Sequence, residues 1–471
     1  MFMRMLYDEG LAQAAYVIGC QRTGEAIVID PMRDVDQYVD LVASEGLRIT
    51  AVAETHIHAD YLSGAREMAD RTGARVYVSG EGGVDWSSRW LDGYDHVVLH
   101  DGDHITIGGI DIEALHTPGH TPEHIAYLVT DRGSGATEPI GIASGDFLFV
   151  GDLGRPDLLE TAAGETGAKE PAARRLRESV ERLKSLPEFV QVWPGHGSGS
   201  ACGKALGAVP TSTVGYELRF NPAVRISSDE DEFLAYILAG QPEPPLYFAR
   251  MKRQNRDGPP VLGGLPAPKR LEPSDLDSID TSTTALVDTR KWDAFRAGHV
   301  GGALFLPRIR SFATNAGSVI GEDEPIVLIV ESDELDGAIR ELVHVGLDRI
   351  EGWLTPADLV AWGVAGGVLV MTPQVEPADV AKFLAGPNRA VLDVRSAREF
   401  DEGHMDDATN ITHTRLVGRL DEVPAEDLLV HCRLGVRSAV ACSVLERAGY
   451  PATNLRGGYE AWKTEAQSQP A

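Results

Sequence analysis

Apolar positions along the chain gather into short runs of strand length. Ile49-Thr50-Ala51-Val52-Ala53 reads as a buried strand that stops just before a cluster of histidines. Leu286-Val287 and Val391-Leu392 begin comparable strands, and Ile326-Val327-Leu328-Ile329-Val330 and Leu428-Leu429-Val430 supply later ones. Strands alternating with helices predict parallel sheets, so the expected class is α/β. No apolar stretch approaches the roughly 18 residues needed to span a bilayer.

The second half repeats itself. Asp288, Arg290, Phe295, Gly298, His299 and Ala303 recur 105 positions later as Asp393, Arg395, Phe400, Gly403, His404 and Ala408. Such self-similarity marks two copies of one α/β unit. Before them, eight prolines between Pro242 and Pro273 disfavour long helices and central strands. The 471 residues are therefore divided into a first domain over 1–245, a Pro-rich linker over 246–274, and copies over 275–366 and 372–467.

Charge narrows the partners. With 43 basic and 71 acidic side chains the net charge is −28, which argues against nucleic acid and anionic membranes. An N-terminus that soon turns acidic and lacks a signal-peptide core leads us to expect a cytoplasmic protein. The four cysteines, at 20, 202, 432 and 442, have no C-x-x-C spacing, so free thiols are expected rather than a disulfide framework.

The chemistry begins at Thr55-His56-Ile57-His58-Ala59-Asp60-Tyr61. If the chain stays extended, His56, His58 and Asp60 share a face and converge. Thr117-Pro118-Gly119-His120-Thr121, Ser144-Gly145-Asp146 and Trp193-Pro194-Gly195-His196-Gly197 each set an imidazole or carboxylate beside a glycine, on loops able to close onto one point. Imidazole and carboxylate together bind zinc or iron.

The order H-x-H-x-D, H, D, H resembles the metallo-β-lactamase fold, an αββα sandwich. Within it, Glu54 to Gly64, His116 to His120, Ser144-Gly145-Asp146, Gly154-Arg155-Pro156-Asp157 and Ser212 to Glu217 with Asn221-Pro222 look like the persulfide dioxygenases, over roughly residues 1 to 225. That resemblance implies one Fe(II) per chain, held by His56, His120 and Asp146. His58, Asp60, Tyr61 and His196 are then assigned to a surrounding shell that orients the ligands. Tyr61 stands where the family more often has histidine, and a neutral phenol is a poorer ligand, which disfavours a second metal. Arg155 is expected either to bind a carboxylate of the thiol carrier or to hold Asp157.

In the last copy the strand runs into His431-Cys432-Arg433-Leu434-Gly435-Val436-Arg437-Ser438, and the matching place in the first copy is Glu331 with no cysteine. A cysteine between a strand end and a helix N-terminus meets unpaired backbone N–H groups and the positive dipole end. With Arg433 and Arg437 these favour a thiolate. Together with Leu392-Asp393-Val394-Arg395, Gly403-His404 and Gly457-Gly458-Tyr459, the loop resembles the rhodanese sulfurtransferases, with the first copy degenerate. Cys432 is the expected persulfide-carrying nucleophile, and Cys442 a structural residue. Cys202, close after the His196 loop, is a candidate for lining the metal pocket.

The two resemblances together imply oxidation of a low-molecular-weight thiol persulfide by O2 to sulfite, coupled to sulfur transfer with thiosulfate or sulfite as the other partner. The carrier is glutathione, coenzyme A or another small thiol, and a homo-oligomer is expected. The alternatives are a zinc-dependent thioester hydrolase of glyoxalase II type and a non-enzymatic sulfide sensor.

Overall fold

The computed structural model describes residues 1–161, 167–204 and 206–468. The chain divides into two compact units, Met1–Leu265 with Val343–Gly346, and Pro266–Leu342 with Leu347–Ala471.

In the first unit two six-stranded sheets face each other. One follows the order Phe2–Asp8, Gln13–Cys20, Glu25–Ile29, Arg48–Ala53, Arg75–Ser79, His96–Leu99. The other follows Ser212–Thr213, Gln191–Pro194, Gly141–Gly145, Ile125–Thr130, Ile110–His116, His104–Ile107. Tyr16, Ile18, Ile27, Ile29, Ala51 and Ala53 of the first meet Ile105, Ile112, Ala114, Ile125, Tyr127 and Val129 of the second. Residues one step out of phase, Ala15, Val17, Ala26, Val28 and Val52, point the opposite way and pack on Tyr38 and Val42 of helix Asp36–Ser44 and on Met68 of helix Ala65–Thr72. Helices Lys169–Lys184 and Glu230–Leu238 cover the second sheet through Leu176, Val180, Phe233 and Ile237. The result is the expected αββα layering. A one-residue slip of a strand would move its whole apolar set to the wrong face, at roughly 1.5–3 kcal/mol per large side chain exposed.

The proline-rich stretch departs from expectation. Phe248–Asp257 is a 10-residue helix in the gap between Pro245 and Pro259, and it buries Phe248, Met251 and Asn255. Their spacing of three and four is that of one helical face. Residues to Leu265 thus belong to the first unit, which corrects the linker drawn over 246–274.

The second unit holds two five-stranded parallel sheets of matching order. These run Lys269–Arg270, Ile350–Leu354, Ile326–Ile329, Ala285–Asp288, Leu304–Phe305, and Gln374–Val375, Ala452–Leu455, Asp427–His431, Arg389–Asp393, Thr409–Asn410. The repeated Asp and Arg form the same tie in each copy: the arginine forks onto the aspartate and donates to the Gly298 or Gly403 carbonyl at 2.8 Å. Helix Val436–Arg447 is buried from Ser438 to Leu445. The first copy packs on it, with Phe305 N donating to Ser443 Oγ at 2.9 Å and Arg447 Nε to the Thr281 carbonyl at 2.8 Å. No helix among the described residues is long and apolar enough to cross a membrane.

Candidate functional site

Four loops at the ends of strands bring the histidines and acids together. His56 follows Arg48–Ala53, His120 follows Ile110–His116, Asp146 follows Gly141–Gly145, and His196 follows Gln191–Pro194. His56, His120 and Asp146 form one buried group whose ligand atoms lie within 4.8 Å of one another. Asp146 Oδ2 is 3.9 Å from His56 Nε2 and 3.5 Å from His120 Nε2. Donors each about 2.1 Å from a common ion sit about 3–3.5 Å apart, so this triad needs little closure to hold one. Neither oxygen of Asp146 makes a hydrogen bond. A buried, unpaired carboxylate is costly, and a divalent cation relieves that cost. The residues therefore fit a metal ion.

Their neighbours prepare the ligands. Thr55 Oγ1 donates to Asp30 Oδ2 at 2.8 Å and lies 2.9 Å from His56 Nδ1. With its proton committed to Asp30, the hydroxyl accepts from Nδ1–H, which leaves the His56 Nε2 lone pair facing the triad. Burial, then the charges of His58, His120, His124 and His196, holds His56 well below the ordinary imidazole range. Burial likewise pushes His120 down to about 3. Both are neutral near pH 7, the form that ligates. Gly145 turns the chain at φ +50°, where a Cβ would press on Thr55 Oγ1 at 2.6 Å.

The H-x-H-x-D residues lie close, with the His56 and His58 ring centroids 4.2 Å apart, but they divide among three groups instead of forming the one that the extended-chain reading expects. Beyond Ala53 the chain leaves the sheet and bends, so the period of two is lost. His56 joins Asp146, Asp60 joins His196, and His58 turns to Asp30 and Glu54, with Nε2 at 3.2 and 3.0 Å. Burial alone would lower His58, but the two carboxylates overcome it and raise its affinity for a proton well above the usual value. Tyr61 Oη accepts from Gln13 Nε2 at 3.0 Å and donates to the Asp30 carbonyl at 3.2 Å. Burial and the surrounding acids push its pKa well above that of a free phenol, so it stays a neutral phenol.

Arg155 is fully buried and spends its guanidinium inside the protein. Two N–H groups go to Asp157 at 3.1 and 2.7 Å, and others to the carbonyls of Ala201 at 2.8 Å and Pro242 at 2.6 Å. The substrate-binding role is replaced by the alternative one, a clamp on Asp157 and two loops. A small recess of ≈20 Å³ lies beside His56, between Ile57, Trp86, Trp90 and Glu123.

The second site lies at the start of helix Val436–Arg447. Cys432 is buried, and its Sγ accepts from Gly435 N at 3.0 Å and from Ser438 Oγ at 3.5 Å. Gly435 takes φ +101°, a conformation that bends the loop so that its N–H returns to the sulfur. Arg437 reaches Cys432 and is itself gripped by Glu399 through two 2.7 Å bonds. Arg433 departs from expectation: its exposed guanidinium pairs with Glu460 at 3.2 Å instead of the thiol.

Sequence comparison finds a known family in each part of the chain. The description "Metallo-beta-lactamase superfamily" matches residues 8–196, and "Rhodanese-like domain" matches 376–465. A metallo-β-lactamase of Staphylococcus aureus, whose crystal structure is solved, is 39% identical, spans 76% of this chain and 99% of its own, and superposes with a TM-score of 0.68. The chain belongs to the metallo-β-lactamase superfamily. Its lactamase-fold domain is joined to a C-terminal rhodanese domain. The mitochondrial persulfide dioxygenase of Bos taurus is 26% identical over 233 residues, 48% of this chain and 78% of that one. The hydroxyacylglutathione hydrolase of Rhodospirillum rubrum is 30% identical over 181 residues, 38% of this chain and 60% of that one.

Several working residues of these domains escape sequence reasoning. In the lactamase-fold domain His124 Nε2 accepts from Asp146 N at 3.0 Å while its Nδ1 meets Thr117 Oγ1 at 2.8 Å, so it anchors a metal-site carboxylate through the backbone. Its position four residues after His120 was the available signal. Asn255 bonds the motif loop from a stretch whose prolines suggested a connector. In the rhodanese domain Glu399 lies within the repeated Arg395 to His404 segment, and its grip on Arg437 becomes visible only in the fold.

Proposed function

We propose that the lactamase-fold domain oxidises a small thiol persulfide with O2 to sulfite and free thiol, using one Fe(II) per chain, and that Cys432 transfers sulfane sulfur in the same protein. The observation that carries this reading is the grouping of His56, His120 and Asp146 while Tyr61 stays engaged with Gln13 and Asp30. Two histidines and one carboxylate with open positions are the usual donor set of non-haem Fe(II) oxygenases. When bound, ferrous iron supplies electrons to O2 and vacant positions for sulfur and gas side by side.

The chain's own residues do the rest. Thr55 and Asp30 set the His56 tautomer, and His124 fixes Asp146. Ile57, Trp86 and Trp90 supply apolar wall beside His56. The reaction balances as one persulfide, one O2 and one water giving sulfite, free thiol and two protons, with the S–S bond broken and the terminal sulfur oxidised.

In the rhodanese domain, attack of the Cys432 thiolate on the outer sulfur of thiosulfate breaks that S–S bond, releases sulfite and leaves a Cys432 persulfide. The Gly435 N–H and Ser438 hydroxyl face the sulfur that carries the charge. Run in reverse, sulfite takes the sulfur and leaves as thiosulfate. Tethering both sites in one chain keeps a reactive intermediate near millimolar effective concentration, about the value for short flexible links. The similarity to a bovine persulfide dioxygenase supports the assignment.

The similarity to a hydroxyacylglutathione hydrolase favours a second reading, zinc-dependent hydrolysis of a glutathione thioester by a metal-bound water with pKa near about 7. Protein purified without oxygen separates the two. About one iron per chain with persulfide-dependent O2 uptake and sulfite release supports the first reading. Zinc with thioester cleavage and no O2 uptake selects the second.

A further inference from the structure

The recess beside His56 has room for little more than one water, so the body of a thiol carrier must lie elsewhere. A cleft of ≈450 Å³ opens between the 116–122 loop, Glu81-Gly82 and the first turns of helix Lys169–Lys184. That volume falls in the range of small-molecule sites, roughly 300–1,000 Å³. Pro118, Pro122, Leu159, Pro171 and Ala172 give it apolar walls, and Glu81 and Arg175 give it one charge of each sign. The walls are preformed. His116 Nε2 donates to the Pro122 carbonyl at 2.8 Å, and Ser179 Oγ ties the Pro118 carbonyl to the helix at 2.7 Å. The cleft adjoins the metal-binding groups. Pro118 and Gly119 directly precede His120, and Gly82 packs so closely on Glu123 that a Cβ would meet its backbone nitrogen at 2.9 Å. Glu123 in turn lines the recess beside His56, and Trp86 of the recess packs with Leu159 and Ala172 of the cleft.

We propose that this cleft binds the body of an amino-acid-derived thiol carrier, with Arg175 taking a carboxylate and Glu81 an ammonium group. Arg175 pairs with Glu178 at 3.8 Å, both side chains 66% exposed. So exposed a pair is weak, and a carboxylate seated in the cleft can replace Glu178. One oxygen of Glu81 accepts from Asp101 N at 3.2 Å, which fixes the carboxylate in the cleft wall. A guanidinium and a carboxylate lining one apolar cleft match a zwitterion. A carrier with several phosphates meets Glu81 and a chain of net charge −28, with a single lining guanidinium to offset them, and is disfavoured. The site rests on the proposed persulfide reading for the reacting sulfur alone, since binding of the free thiol can be measured without the oxidation.

Glutathione, which carries a free amino group and carboxylates, is the probe. Anaerobic titration calorimetry on the full-length protein should show about one glutathione site per chain, with coenzyme A bound at least about tenfold more weakly. Arg175→Ala and Glu81→Gln should each weaken glutathione about fivefold. N-acetylated glutathione, which lacks the ammonium, should bind the unaltered protein about fivefold more weakly and show no further loss in Glu81→Gln. In persulfide-dependent O2 uptake, Arg175→Ala should raise KM more than it lowers kcat. Absence of glutathione binding, equal affinity for coenzyme A, or unchanged glutathione affinity in either variant overturns the site. Binding with these losses but without O2 uptake supports the site and counts against the proposed oxidation.

Discussion

Asn255 Nδ2 donates to the main-chain carbonyl of Tyr61 at 2.7 Å, across 194 residues of sequence. The same amide donates to the His58 carbonyl at 2.8 Å and accepts from Ser63 N at 2.9 Å. A helix bounded by prolines thereby holds the bends that part His56, His58 and Asp60.

Asn255→Ala leaves three buried backbone groups without partners. The first unit should lose about 2–4 kcal/mol in urea unfolding, and its metal affinity should fall with it. Asn255→Asp, which keeps the acceptor toward Ser63 but loses both donors, should fall between the two proteins.

His124→Ala removes the group that orients the Asp146 backbone without touching a proposed ligand. Equilibrium competition with a chelator should show metal affinity reduced about 10–100-fold. Unchanged affinity would assign His124 to packing alone.

Tyr61→Phe tests whether the phenol is a ligand. It deletes the bonds to Gln13 and Asp30, so stability should drop by about 1 kcal/mol while metal content stays the same. Loss of metal would show that the hydroxyl turns inward on binding.

Cys432→Ser should abolish sulfur transfer from thiosulfate and leave oxidation of an added small-molecule persulfide largely intact. Equal loss of both activities would refute two independent sites. Arg437→Ala should also impair transfer, whereas Arg433→Ala, whose side chain faces Glu460, should have little effect.

Acid should weaken the rhodanese domain in two stages. Burial holds His413 down to about 3 against an ordinary 6.5, so below pH 6.5 the unfolded chain takes a proton that the folded one refuses. Stability is therefore lost as pH falls from 6.5 toward 3. Burial alone would raise Glu399, but Arg437 and Ser396 bring it to about 2 against 4.5. Its contribution is complete above pH 4.5 and disappears as pH falls toward 2. His413→Asn should flatten the first part of a pH–stability curve, and Glu399→Gln the second.

The sequence alone determined what depends on local order. Short continuous apolar runs assigned the strands, because a strand covered on both faces needs apolar side chains in both directions. The 105-residue recurrence is present in the structure as two sheets of one strand order, and the loop from Cys432 to Ser438 could be read because strand, turn glycine and helix are contiguous. Tertiary structure decided which side chains share a site. The spacing of His56, His58 and Asp60 suggested one cluster, and bends beyond the strand gave three. Arg155 and Arg433 carry the same charge as Arg437, but only packing could show that the first is enclosed with Asp157 and the second faces Glu460. Cys20 lies in no sequence motif, yet the fold aims Gly109 N at its sulfur from 3.2 Å and draws its pKa down to about 7. Hydrogen bonds and ion pairs between distant segments depend on distances that a linear pattern does not encode, and in this protein those bonds position the metal-binding groups.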